Sequence, residues 1–513
     1  MRAILSIDHP SAAYLTAGIA AADRSFTRRF PGFDPDGSFA AMRRCEYGRL
    51  DAEQHAYLDY SGGSLYAASQ IEAHARLLQR GVFGNPHSNN PTSLAATALV
   101  ADAREAALEF FGASPDEYYC VFTANATGAL KLVGEAYPFS PGVTFALTAD
   151  NHNSVNGIRE FARRKGAAIA YVPVVAPELR VDRAALTEVL TTADASRSNL
   201  LAFPAQSNFS GVQHPLDIID EAHACGWEVL LDAAAFAPTN PLNISRTRPD
   251  FVAASFYKVI GYPTGVGCLL VRRDRMRTLT RPWFAGGTVT IASVGGDGHY
   301  LRPDEGGFED GTVNYLSLPA VADGLRRIQG LGIAQVHERV ASLTQWLLEA
   351  MAGLIHGNGR HVVGIYGPTG SDHRGGTVAF VVRDRDGRVV CERHVEALAN
   401  RANISLRTGC FCNPGAGETA NHLGPDEMAT WFGRAEPVWP DELSDGLMRQ
   451  HDRVLSAVRV SLGIASNFAD IYRFACFLQN FVDRTADEIA VAQNPGVGRL
   501  AATSQVTGNA LVS

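Results

Sequence analysis

Short apolar runs recur through the middle of the chain, at 143–149, 168–174, 199–205, 228–234 and 251–256. They lie about 25 to 30 residues apart, with amphipathic stretches such as Pro215–Cys225 between them, which suits βαβ units and a mostly parallel sheet. The run Gly267–Val271 follows Phe256 too closely for a helical crossover and is predicted to pair antiparallel. Ser93–Phe111, rich in Ala and Leu, reads as an amphipathic helix. Beyond about residue 330 the texture changes. A long helix is predicted over Ile333–Leu354, then strands near 362–366 and 376–382, and helices near 392–402 and 468–483. This is the pattern of a smaller α+β domain. Residues 413–458, punctuated by Pro and Trp, predict a loop-rich insertion, and the small, polar stretch 485–513 a disordered tail. Residues 1–45 show no assignable pattern and are set apart as an N-terminal extension, leaving 46–330 as a large domain and 331–484 as a small one.

The 513 residues are enough for two or three sizeable cores. The net charge of −8 is spread along the chain without a basic run, which argues against nucleic acid as a partner. No apolar stretch approaches the roughly 20 residues of a membrane helix. Arg2, Asp8 and Asp23 interrupt the first apolar runs and make a poor signal peptide, so a cytoplasmic chain is expected. Of the eight cysteines only Cys410 and Cys412 are close together, so buried thiols are expected for most of them rather than a disulfide framework.

Two strand ends change the picture most. Val229-Leu-Leu-Asp232 closes on a carboxylate, and Ser255-Phe-Tyr-Lys258 delivers a lysine 26 residues later. Pyridoxal phosphate (PLP) chemistry needs that pair: the amine binds the aldehyde, and the carboxylate keeps the ring nitrogen protonated so that the ring accepts electrons. Around them, Phe122-Thr-Ala-Asn-Ala126-Thr127-Gly-Ala-Leu130 places small residues and a hydroxyl at a helix start, where a phosphate is well held. Ser255 offers a second hydroxyl, His152 a ring to stack on the cofactor, and Asn208 a polar contact to its hydroxyl. Each alone has an ordinary reading as a capped helix, a solvated histidine or a turn asparagine.

In chain order these residues resemble the class V aminotransferase group of fold-type-I PLP enzymes, which includes the cysteine desulfurases. The likeness covers roughly residues 55–483, including Tyr57-Leu-Asp-Tyr-Ser61-Gly62-Gly63 and Gly84-Asn-Pro-His-Ser88 near the substrate entrance. It implies an α/β fold with a mostly parallel, seven-stranded type of sheet and a smaller α+β domain. By resemblance Ala126 and Thr127 hold phosphate, His152 stacks, Asn208 and Asp232 hold the ring, and Lys258 tethers it. Where this group usually has Gln, the chain has Ala235; where it often has His, the chain has Tyr257.

Leu406-Arg-Thr-Gly-Cys410-Phe-Cys412-Asn-Pro-Gly-Ala416 is the second strong signal. A cysteine among glycines after a strand suits a reactive thiol; half a metal site, a redox disulfide across the strained ring of Cys410 and Cys412, and structural thiols are the alternatives, and no second Cys/His pair lies at metal-binding spacing. The run resembles the Arg-Thr-Gly-x-x-Cys loop of cysteine desulfurases, and most of all the desulfurase-like domain of molybdenum cofactor sulfurases. Ser207-Asn-Phe-Ser-Gly211, Phe284-Ala-Gly-Gly-Thr288 and Phe308-Glu-Asp-Gly-Thr312 carry the same likeness. It implies sulfur removal from L-cysteine through a persulfide on Cys412, release of alanine, and delivery to a metal cofactor or biosynthetic intermediate. Arg407 and Arg459 are then expected to grip the substrate carboxylate. Gly287 and Thr288 match a loop that reaches the neighbouring subunit's phosphate, so a homodimer is expected. Gly417 stands where molybdenum cofactor sulfurases often have a further cysteine. A C–S lyase, aminotransferase or epimerase of the same fold, needing no Cys412, is the rival, and a non-catalytic scaffold a second.

Overall fold

The structure, a computed structural model, describes residues 12–281, 284–434, 436–451 and 453–493. Seven strands form the central sheet: β1 (Tyr118–Thr123), β2 (Thr144–Thr148), β3 (Ala168–Val172), β4 (Asn199–Pro204), β5 (Trp227–Asp232), β6 (Phe251–Ser255) and β7 (Gly267–Arg272). Their order is β1-β7-β6-β5-β4-β2-β3. Only β7 runs against its neighbours, pairing Gly267 with Ser255 on one side and Thr123 on the other. Every residue of β4, β5 and β6 is buried, so these strands read as continuous apolar runs rather than alternating ones. One hydrophobic cluster fills each face. Ala103, Phe203 and Leu325 lie in the first, and Leu130, Phe145 and Leu269 in the second.

The smaller sheet contains β8 (Val363–Tyr366), β9 (Thr377–Val382), β10 (Arg407–Gly409) and β11 (Ala457–Ser461), in the order β8-β9-β11-β10 and antiparallel throughout. Helices Ile333–Ala352, Glu392–Arg401 and Phe468–Leu478 cover it. The N-terminal stretch joins this core. Helix Ala12–Arg29 packs on Phe468–Leu478, with the Phe26 ring stacked 4.6 Å from Phe468, and buried Arg43 pairs with Asp470 at 2.8 Å.

Two expectations need correcting. The stretch 413–458 is helical, with α1 (Pro414–Ala420), α2 (Pro425–Phe432) and α3 (Pro440–His451) preceding β11. Each starts at a proline, whose fixed φ suits a first helical turn, so residues that signal loops here begin helices. The expected tail opens with helix Ala486–Gln493, whose Ile489 is buried against the small-domain core. The rest of that tail, 494–513, and the signal-peptide reading at Arg2 and Asp8 lie outside the described residues. No helix among the described residues is long and apolar enough to cross a membrane.

Candidate active site

The carboxyl ends of β2, β4, β5 and β6 open on one pocket, as expected where ligands meet an open α/β sheet. Ala126, Thr127, His152, Asn208, Asp232, Ser255 and Lys258 all line it, together with Gln206. Asp232 ends β5, and its Oδ1 accepts from the Ala234 amide at 2.9 Å. The cradle is the start of helix Ala126–Ala136. Asn125 caps it through the Gly128 amide, Ala126 donates to Ser255 Oγ at 2.7 Å, and the Thr127 and Ser154 hydroxyls lie 2.8 Å apart. The Ser255 proton remains free to donate. Strand β7 passes so close that a Cβ on Gly267 would sit 2.6 Å from the Asn125 backbone. An acid for a ring nitrogen, a helix start with two hydroxyls for a phosphate, and a lysine between them fit PLP.

His152 caps the short helix Asn153–Asn156, its Nδ1 accepting from the Ser154 amide at 3.1 Å. That bond leaves the ring proton on Nε2 while the imidazole is neutral. Burial lowers its pKa; the Asp232 carboxylate opposes this, and Lys258 and Arg459 add to it. The ring therefore stays neutral at physiological pH. Lys258, half-buried in the turn of helix after β6, is likewise lowered by burial, against the pull of Asp232, with Arg459 and Arg407 pushing the same way as burial. A neutral amine is the reactive form. The rate of Lys258 acylation by a small amine reagent should therefore level off below pH 10.5, the ordinary lysine midpoint. Peptide mass spectrometry across pH reads this directly, and a midpoint at or above 10.5 refutes it.

The two arginines converge, but on a residue the sequence did not single out. Arg407 contacts Asp59 through Nε (2.9 Å) and Nη2 (2.7 Å), and buried Arg459 donates to Asp59 Oδ1 at 3.0 Å and to the Asn208 carbonyl at 3.0 Å. Arg459 Nε is buried without a partner. Gly62 makes room for the cluster: a Cβ there would lie 2.5 Å from Asp59 Oδ2 and 2.6 Å from Arg407 Nη2. Ser61 Oγ shares a 2.7 Å hydrogen bond with Thr377 Oγ1 on β9, tying the entrance segment to the small domain.

Cys412 is exposed, and its thiol lies within electrostatic reach of Lys258 and Arg459. Phe411 and Cys412 both adopt left-handed backbone, φ 56° and 55°, which costs non-glycine residues about 1 kcal/mol or more each. Among the described residues no metal-binding cluster of His, Cys, Asp or Glu forms, at this loop or elsewhere.

Two of the expected site residues also make contacts within the chain. Asn208 lines the pocket, but its Nδ2 donates to the Phe411 carbonyl at 2.7 Å and its Oδ1 accepts from Asn413 at 2.9 Å, so the amide braces the cysteine loop. Thr288 is fully buried, and its hydroxyl donates to the Phe284 carbonyl of its own chain at 3.3 Å. Gln206, which went unnoticed in the sequence, is buried beside Ala234 and Ala235. Its position after β4, next to the small Ala235, was the available signal.

The sequence pattern of the aminotransferase class-V family matches residues 56–474. The molybdenum cofactor sulfurase of Solanum lycopersicum is 39% identical over 480 residues, covering 86% of this chain and 57% of that protein. The Homo sapiens counterpart is 35% identical over 482 residues, covering 89% and 52%. The chain thus spans a little over half the length of these curated relatives. Among solved structures, the apo cysteine desulfurase of Thermococcus onnurineus superposes with a TM-score of 0.71 at 23% identity, over 86% of this chain and 98% of that one. A C-DES variant with glycine covalently linked to its PLP cofactor gives 0.64 at 18%, over 85% and 99%. At these identities the structures speak to the fold, while the family match and the curated relatives speak to descent. The chain belongs to the aminotransferase class-V family.

Proposed function

We propose that this protein is a PLP-dependent cysteine desulfurase that takes sulfur from L-cysteine onto Cys412, releases alanine and hands the sulfur to an acceptor. One observation supports the reading: Lys258 and Asp232 line one pocket with the helix-start cradle, and the exposed Cys412 thiol and both arginines lie within electrostatic reach of the lysine. When bound, PLP supplies the electron sink that stabilises negative charge at the substrate Cα. The protein's own groups do the rest. Lys258, whose pKa burial lowers, takes and returns protons at the substrate carbons. His152, neutral with Nε2–H, covers the ring and is placed to pass a proton. The Cys412 thiolate attacks the substrate sulfur, forming an S–S bond as the Cβ–S bond breaks. The electron pair stays with carbon, which takes up a proton to become alanine.

Product identity from L-cysteine, with and without a thiol reductant, tests the reading. Alanine and reductant-released sulfide are expected; pyruvate and ammonia would establish the lyase instead. Arg459 and Arg407 position the substrate carboxylate, with Asp59 holding their guanidinium groups in register. Arg459→Ala should raise KM for cysteine about 10- to 100-fold with a smaller fall in kcat, the scale of one or two charge-assisted hydrogen bonds. An unchanged KM would remove Arg459 from substrate binding.

The relatives named molybdenum cofactor sulfurases support a metal-cofactor sulfur as the destination. Eight free cysteines support a reducing, cytoplasmic setting. A homodimer is supported by the hairpin Val289–Ser293 and Gly298–Leu301, which exposes Ile291, Val294 and Tyr300.

A further inference from the structure

The backbone around Cys412 is tied down on both sides. Asn413 is fully buried, and its Nδ2 donates to the Asp150 carbonyl at 2.6 Å and to Asn208 Oδ1 at 2.9 Å. Its Oδ1 accepts from the Ala416 amide at 3.2 Å and caps α1. Asn208 Nδ2 donates to the Phe411 carbonyl at 2.7 Å, and the Asn153 amide donates to the Cys412 carbonyl at 2.7 Å. The amide orientations are not arbitrary. Backbone carbonyls only accept, so Asp150 and Phe411 fix which end of each asparagine is nitrogen.

Residues 150 and 153 flank His152, and residue 208 follows β4. The loop is thus anchored to the strand ends that build the pocket. The anchoring also accounts for two successive left-handed residues, Phe411 and Cys412, neither of which holds that backbone readily by itself. Cys412 stays exposed while its peptide groups are held.

We propose that Asn413 is a positioning residue: its amide latches the Cys412 loop to the ends of β2 and β4 and fixes the thiol for attack on the substrate sulfur. This rests on the reading of Cys412 as the sulfur-accepting thiol. Asn413→Asp is the sharp variant, because it keeps the oxygen that caps α1 and removes both donated bonds. Should Asn208 turn its amide to meet the new carboxylate, it abandons the Phe411 carbonyl, so the latch opens either way. Asn413→Ala removes cap and latch together; if it fails to fold, Asn413→Asp still decides.

The holoprotein is compared with each variant by backbone hydrogen exchange over 407–413 and by kcat and KM for alanine formation. Asn413→Asp is expected to exchange at least several-fold faster there, with cofactor absorbance unchanged. Its kcat should fall about 100-fold, the scale of a misplaced reacting group, with KM within about two-fold of wild type. Wild-type kcat in Asn413→Asp overturns the proposal, as does exchange at the wild-type rate. If the wild-type protein makes no alanine at all, the desulfurase reading fails by itself, and the exchange comparison still decides the latch.

Discussion

Lys258→Ala will make no detectable alanine from L-cysteine and will not retain PLP covalently. The lysine sits where β6 turns into a short helix, between the phosphate cradle at Ala126 and the acid at Asp232. Among the described residues no other lysine lines that pocket, so no side chain inherits the tether. Proton transfer by a positioned group contributes about 10²- to 10⁴-fold, and loss of the covalent attachment adds to that. Stability should move the other way. Burial lowers the amine's pKa, so the unfolded chain holds this proton more tightly than the folded one. The resulting cost to folding is fully present below the folded-state midpoint and fades as pH rises toward 10.5. At neutral pH, alanine removes that cost. Compared as cofactor-free proteins, Lys258→Ala should therefore melt no lower than wild type. Turnover within about ten-fold of wild type would displace Lys258 from the chemistry, since one positioned proton carrier alone is worth more.

The parts of this site legible in the sequence are those written in neighbouring residues. Asp232 and Lys258 announce themselves because one closes a fully buried strand and the other follows such a strand by three residues, and a charge at the end of an apolar run has a local meaning. The antiparallel β7 was legible from the shortness of its connection, and the structure pairs Gly267 with Ser255 accordingly. What was not legible depends on partners far away in the chain. Asp59 gains its role from Arg407 and Arg459, Asn208 from Phe411 and Asn413, and Phe26 from Phe468. No periodicity encodes such pairings. The helices of 413–458 were hidden for another reason. Pro414, Pro425 and Pro440 are helix starters and loop formers alike, and only the packing of Met428, Trp431 and Leu447 into a small cluster decides between them.

Cys412→Ser will abolish sulfur transfer while leaving cofactor binding intact. Serine is close to cysteine in size, and the ties that hold the loop run through the backbone and Asn413, so the variant should keep the left-handed turn at 411 and 412. What it loses is a nucleophile able to accept a sulfur atom: an alcohol is not ionised near neutral pH and forms no persulfide. Alanine formation should fall by at least ~10³-fold, in keeping with removal of a covalent nucleophile from an otherwise intact site. Cys410→Ser is the matched control. Cys410 shares the loop and is tied there through its carbonyl, which accepts from the Asn413 amide at 3.0 Å and survives the substitution. Its alanine production should stay within about two-fold of wild type, the scatter expected of a change that removes no tie. If Cys412→Ser instead yields pyruvate from cysteine at the wild-type rate, C–S cleavage does not pass through the thiol. The pocket of Lys258 and Asp232 would then be that of a lyase, with the cysteine loop left as its lid.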